Sequence, residues 1–173
     1  SRMVAIVTGA SSGLGLSIAE LLRNRGTQVV GVSRREMAGV SGDASKRETT
    51  LRAIEAAERL GAIDLLVNCA GTGIFGPAGS YDDDAIAAII NSNLIATINF
   101  CELLFPRFKE HGGTIVNISS FAGIAGVPGS AGEFMWGGFA GTYFWIDPKE
   151  QLVAVYMTQA PSPIRAYYRK LFK

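Results

Sequence analysis

Apolar residues in this chain follow two periods that take turns along roughly the first 120 positions. Met3–Thr8 (MVAIVT) is an unbroken apolar run ending at a glycine, the pattern of a strand buried on both faces. Leu14, Ile18, Leu21 and Leu22 then recur at helical spacing, and Gly26 supplies a stop. Gln28–Ser33 (QVVGVS) predicts a second strand. Ser45-Lys46-Arg47-Glu48 is a capping box that predicts a helix with Leu51, Ile54 and Leu60 on one face. Asp64–Asn68 predicts a strand, and Asp82 to about Pro106 a helix with an acidic first turn and Ile86, Ile90 and Leu94 facing inward. Thr114–Ile118 predicts a further buried strand. This alternation of strands with helices predicts an α/β fold with a parallel, doubly wound sheet.

After about Ser130 the rhythm changes. Residues 132–141 are rich in glycine and aromatics and show no helical period. Thr142–Ile146 (TYFWI) and Leu152–Thr158 (LVAVYMT) predict strands joined by the polar turn 147–151, an antiparallel β-hairpin. Pro161 and Pro163 punctuate the next stretch, and Ile164–Phe172 predicts a short basic terminal helix. The shift divides the chain into 1–130 and 131–173, expected to pack as one domain. In it a truncated parallel sheet is completed by the C-terminal hairpin and helix.

Composition narrows the function classes. Of 173 residues, 48% are hydrophobic and 18% charged, which is the balance of a folded domain. The net charge of +1 leaves no electrostatic footprint for nucleic acid or an anionic membrane. No apolar run is expected to reach the ~20 residues that span a bilayer, and no leader is visible, so a cytoplasmic location is expected. Cys69 and Cys101 lie in apolar runs and read as buried free thiols; a bridge or a nucleophile is the alternative. His111, in the turn Glu110-His111-Gly112-Gly113, reads as a solvated loop residue, and no His/Cys/Asp/Glu cluster has metal-ligand spacing.

The sharpest chemistry lies in Thr8-Gly9-Ala10-Ser11-Ser12-Gly13-Leu14-Gly15. Placed between a strand and an amphipathic helix, these glycines let the chain turn sharply, the amides face a pyrophosphate and the helix pack tightly on the strand. The expected physics at Gly9, Gly13 and Gly15 is close approach. A tight turn without a ligand is the competing explanation.

Four motifs in order resemble the short-chain dehydrogenase/reductase family. They are that glycine turn, Asn68-Cys69-Ala70-Gly71 where the family has Asn-Asn-Ala-Gly, Asn93 in the central helix, and Asn117-Ile118-Ser119-Ser120. The likeness runs from about Met3 to Ser130 and implies a Rossmann-like fold with a nicotinamide dinucleotide across the carboxyl ends of the strands. It implies cofactor contacts at Thr8, Gly9, Ser11, Ser12, Gly13, Leu14, Gly15, Asn68, Ala70 and Gly71, with Asp43 and Ala44 at the adenine. Charge then bears on which cofactor. An acid after the second strand would accept from a ribose 2′-OH and repel a 2′-phosphate. Here Ser33 is followed by Arg34 and Arg35, which suit a 2′-phosphate and favour NADP over NAD; two ordinary surface arginines remain the alternative.

The family's proton transfer uses a Tyr and a Lys four residues later, with a Ser and an Asn. Ser120 and Asn93 match the last two. Counting on from Ser120, the tyrosine position falls on Glu133 and the lysine position on Gly137. None of Tyr81, Tyr143, Tyr156, Tyr167 and Tyr168 has Lys four residues later. A free phenol, with pKa ~10, is a poor proton shuttle near neutrality, so the loss of its partner matters. From about Gly132 onward the chain is similar to the end of serine β-lactamase-like hydrolases, with Trp136-Gly137-Gly138 matching their third motif, although their Ser-x-x-Lys nucleophile is absent. The expectation is a chimera: an NADP-binding fold that is catalytically inert or nearly so. A weak NADP-dependent reductase and a structural or interaction protein without nucleotide remain open. The helices around 82–108 are the candidate surface for a homo-oligomer.

Overall fold

The computed structural model describes residues 2–36, 39–73, 79–119, 140–147 and 152–159, the last two spans through their backbone. It divides into two compact units, Ser1–Ile74 with Asp82–Asn117, and Phe75–Tyr81 with Ile118–Lys173.

In the first unit β1 (Val4–Thr8), α1 (Gly13–Asn24), β2 (Gln28–Ser33), β3 (Val40–Ser41), α2 (Arg47–Glu58) and β4 (Ile63–Asn68) follow the expected alternation. After them, α3 (Asp83–Ile90), a π-helical turn (Asn91–Ile95) and α4 (Ala96–His111) run as one continuous helix into β5 (Thr114–Asn117). The five strands form a parallel sheet in the order β3-β2-β1-β4-β5. Chain order reverses at β1, and in open α/β sheets the crevice beyond the carboxyl ends at such a reversal receives ligands. All five residues of β1 are buried, as a central strand covered on both faces requires. Its register against β4 shifts between Val4 and Ala5, and there the Val4 amide donates to Asp64 Oδ2 at 2.8 Å.

Helix faces depart from the sequence expectation in three places. The capping box at Ser45 does not form. Asp43 Oδ1 takes the Ser45 hydroxyl at 2.8 Å, and α2 starts after Lys46 without a side-chain cap. The inward face of α2 is Thr49, Thr50, Ala53, Ile54 and Ala57, while Leu51 and Leu60 are exposed. Small residues there let the helix approach closely: a Cβ on Gly42 would stand 2.6 Å from Thr49 Oγ1. On the long helix Ile86, Ile90 and Leu94 are exposed, and the buried stripe is Ala96, Phe100 and Leu104. That helix is apolar on two sides, so its period did not say which side meets the sheet.

It also runs past Pro106 to His111. Arg107 Nη1 donates to the Leu103 carbonyl at 2.9 Å, within the turn that the proline's missing amide weakens. At 29 residues, with a mean hydropathy of 1.4 over an 18-residue stretch of it, the helix is long and apolar enough to cross a membrane, contrary to the sequence expectation. Its Ala96, Phe100 and Leu104 nonetheless belong to the core cluster with Val4, Ile6, Ile54 and Leu66.

In the second unit β6 (Ala140–Asp147) and β7 (Leu152–Gln159) pair antiparallel from Ala140↔Gln159 to Asp147↔Leu152. These two strands form an antiparallel two-stranded sheet. The expected terminal helix at 164–172 lies outside the described residues.

Candidate functional site

A cleft of about 270 Å³ opens beyond the carboxyl ends of β1, β2 and β4. Eleven of the expected cofactor contacts line it: Gly9, Ser11, Ser12, Leu14, Gly15, Ser33, Arg34, Asp43, Ala44, Ala70 and Gly71. Thr8, Gly13 and Asn68 do not.

The three turn glycines serve three different purposes. Gly15 is needed for space alone, since a Cβ there would sit 2.2 Å from the Gly9 carbonyl oxygen. Gly9 combines a left-handed backbone, φ 69°, with a Cβ position 2.9 Å from the Cys69 carbonyl oxygen. At Gly13 the fold itself asks only for backbone freedom: φ is 53° and no protein atom lies within 4 Å of a Cβ. Ser12 precedes α1 without a side-chain cap hydrogen bond, and no acid stands in the first turn. The amides at the start of α1 thus suit an anion, as the helix dipole does.

Thr8 and Asn68 act behind the cleft. Thr8 Oγ1 accepts from the Cys69 and Ala70 amides at 3.0 and 2.9 Å, tying the end of β1 to the chain leaving β4. Thr8 and Asn68 are both buried. Asn68 Nδ2 donates to Asn117 Oδ1 at 2.8 Å, joining β4 to β5, while its buried Oδ1 has no partner.

Charge in the cleft is divided. Ser33 Oγ lies 2.6 Å from Ser11 Oγ and accepts the Arg35 amide at 3.1 Å, which locks the end of β2 to the glycine turn. Arg34 and Arg35 both line the wall beside it. Partial burial pushes the Asp43 carboxyl up, but the Ser45 amide and hydroxyl, with Lys46 and Arg34, outweigh it and hold it below its ordinary value. Burial raises the Cys69 thiol, and it raises Cys101 with help from Glu102 against an Asn68 hydrogen bond, so both remain thiols near neutrality.

Asn93 sits in the π-helical turn, a distortion frequent at functional sites. Its Nδ2 donates to the Thr72 and Ile89 carbonyls at 2.8 and 2.9 Å, and its Oδ1 accepts the Thr72 amide at 3.3 Å. It therefore pins the segment after β4 instead of lining the cleft. Ser120, Glu133 and the Trp136-Gly137-Gly138 motif lie outside the described residues. Sequence reasoning missed Val32, Gly42, Cys69 and Ser92, which also line the cleft, and named Arg35 only as a neighbour of Arg34. Cys69 lay within a motif already singled out; Ser92 carried no signal, because the π-helical turn sets where it points.

Residues 3–132 match the short chain dehydrogenase family. The chain belongs to that family. It is 32% identical over 142 residues to the peroxisomal 2,4-dienoyl-CoA reductase of Pongo abelii, covering 71% of this chain and 49% of that protein. It is 31% identical over 133 residues to the 3-ketodihydrosphingosine reductase of Bacteroides thetaiotaomicron, covering 72% and 49%. A short-chain dehydrogenase from Streptomyces avermitilis superposes with a TM-score of 0.66 at 30% identity, covering 72% of this chain and 52% of that one. The 3-ketoacyl-(acyl-carrier-protein) reductase of Brucella melitensis, solved with NADH, gives 0.64 at 28%, covering 68% and 57%. The chain spans about half the length of the first two of these relatives. Family membership supports a nicotinamide dinucleotide in the cleft, and the residues fit one: the start of α1 carries neither a side-chain cap nor an acid, and Gly9, Ser11, Ser12 and Gly15 line the cleft beside it.

Proposed function

We propose that this chain is an NADP-binding short-chain dehydrogenase fold that transfers hydride slowly or not at all. The single observation that carries the binding half is the cleft wall, where Arg34 and Arg35 follow Ser33 with no acid at the end of β2. The glycine turn and the start of α1 hold the pyrophosphate, Arg34 and Arg35 the 2′-phosphate, and Asp43 with Ala44 the adenine. When bound, the dinucleotide supplies the hydride. The inert half rests on the missing Tyr-x-x-x-Lys pair within these 173 residues. Reading the chain as a join of two plans is favoured by the resemblance of Trp136-Gly137-Gly138 to the third motif of β-lactamase-like hydrolases, in a stretch beyond the residues 3–132 matched to the dehydrogenase family. Protection of the amides across 142–158 from exchange is the expected behaviour of a folded tail, and unprotected rates throughout would overturn that part.

The experiment is a fluorescence titration of the intact chain with NADPH and NADH. NADPH is expected to saturate at lower concentration, and Arg34→Ala to weaken it about tenfold or more while leaving NADH unchanged. No saturable change up to about millimolar NADPH, an affinity near 4 kcal/mol, sinks the binding reading. A second reading, an active reductase, is favoured by the relatives named as reductases. It requires NADPH oxidation with a carbonyl substrate that falls on Ser120→Ala. The exposed stripe Ile86, Ile90, Leu94, Ile98 and Phe105 supports pairing of two copies through the helices around 82–108.

A further inference from the structure

The segment after β3 carries Asp43 and Ala44 on the cleft wall, yet what fixes it lies on a distant element. The Ser45 amide and hydroxyl donate to Asp43 Oδ1 at 2.9 and 2.8 Å, turning the carboxylate back onto its own loop. Ser45 is buried, and its carbonyl accepts from Asn99 Nδ2 at 2.8 Å across 54 residues of sequence. Asn99 stands on α4 beside Phe100, which is fully buried, and between Ala96 and Leu104, which are buried too. The donor is therefore carried by the part of the helix most firmly set in the core. Asn99 is not among the residues lining the cleft.

We infer that Asn99 is a positioning residue for the adenine end of the dinucleotide site: its amide holds Ser45 and, through Ser45, keeps Asp43 and Ala44 on the cleft wall. This rests on the dinucleotide reading above. The physical reason is the cost of order. A loop of irregular backbone is set by where its polar groups find partners, and a loop left unset must be ordered by the ligand at the expense of affinity. The carbonyl of Ser45 needs a donor, which Asn supplies and a carboxylate of the same shape does not.

That difference gives the test. In the full chain, Asn99→Asp is expected to weaken NADPH and 2′,5′-ADP about three- to tenfold at pH 8, the range of one net hydrogen bond. Lowering the pH towards 5 should restore binding relative to the unsubstituted chain, because the introduced carboxyl, facing a carbonyl at a part-buried position, gains a proton to donate. Asp43 stays ionised over that range, since its carboxyl is held below the ordinary value with Arg34 and Lys46 as the charges facing it. Asn99→Leu should weaken binding at both pH values without recovery. Exchange of the Ser45 amide should quicken in both variants at pH 8. Equal affinity of Asn99→Asp and the unsubstituted chain at pH 8 overturns the inference, as does weakening that acid does not relieve. No saturable binding by the unsubstituted chain overturns the dinucleotide reading and takes this inference with it.

Discussion

Around Gly9 and Gly15 backbone packs on backbone, with a Cβ on Gly15 falling 2.2 Å from the Gly9 carbonyl oxygen. Along Asp83–His111 the helix instead presents two apolar stripes, one fully used by the core and one from 44% to 61% exposed. In the turn, a few covalent and steric limits decide the shape, and nearly any added atom is refused. On the helix, either stripe satisfies the period, and the choice between them is made by the sheet beneath. A local constraint thus builds the ligand site, whereas a tertiary one decides what the long helix offers to its surroundings.

The largest expected effect lies on the buried stripe. Phe100→Ala removes a fully buried ring from the cluster shared with Ile54 and Leu66 and should cost about 3–5 kcal/mol, read from the shift in chemical denaturation. A loss below about 1 kcal/mol would mean that this stripe is not the core side.

Next comes the turn. Gly15→Ala meets backbone, which cannot rotate away as a side chain can, so α1 must move off β1 at about 1–3 kcal/mol or more. Nucleotide binding should be lost with it, because the amides at the start of α1 move too. Gly13→Ala separates steric refusal from backbone freedom within one motif: with open space around it, only the left-handed backbone opposes the methyl, and the cost should be nearer 1 kcal/mol. Thermal unfolding of both variants, with and without NADPH, checks the ranking.

The exposed stripe should respond least among the packing changes. Phe105→Ala, at a position 61% exposed, is expected to alter monomer stability by under about 0.5 kcal/mol. Sedimentation of Phe105→Ala beside the unsubstituted chain shows whether that stripe pairs copies: a shift to smaller species is expected, and an unchanged distribution at several concentrations counts against pairing.

How much of this was legible beforehand depends on how far apart the deciding atoms are in sequence. The strands β1, β2, β4 and β5 and the parallel sheet follow from short apolar runs broken by glycine and polar turns. The turn residues Gly9, Ser11, Ser12, Leu14 and Gly15 reach the cleft because adjacent covalent geometry carries them there. What escaped was set at long range. Thr49 and Thr50 read as polar but are buried. Ser45 is the local exception: it looked like a cap for α2, yet Asp43, two residues away and acidic, competes for its hydroxyl. Ile86, Ile90 and Leu94 gave the right period on the wrong side of a helix with two apolar faces. The amides of Asn93 and Asn68 tie backbone and strands together, a role that no spacing in the sequence announces.

The smallest effect tests a charged group of the cleft that is already engaged within the fold. Asp43 is an acceptor for the Ser45 amide and hydroxyl, and these bonds, aided by Lys46 and Arg34, hold its carboxyl below the ordinary value against the opposing push of partial burial. A carboxyl with a lower pKa folded than unfolded adds stability that is present above its unfolded pKa, near 4, and is lost as the pH falls through its folded pKa. The charge therefore contributes at neutrality, and acid removes the contribution. Asp43→Asn keeps a side-chain oxygen able to accept from Ser45 but cannot ionise, so the variant should be the less stable chain at pH 7. The gap should begin to narrow below about pH 4, the unfolded value, and close only as the pH falls through the lower folded value, where the native carboxylate is protonated. Denaturation curves collected from pH 7 down to the lowest pH at which both chains fold measure that gap. A gap that stays constant with pH would show that the Ser45 bonds matter for their geometry alone and that the charge on Asp43 is idle in the folded chain.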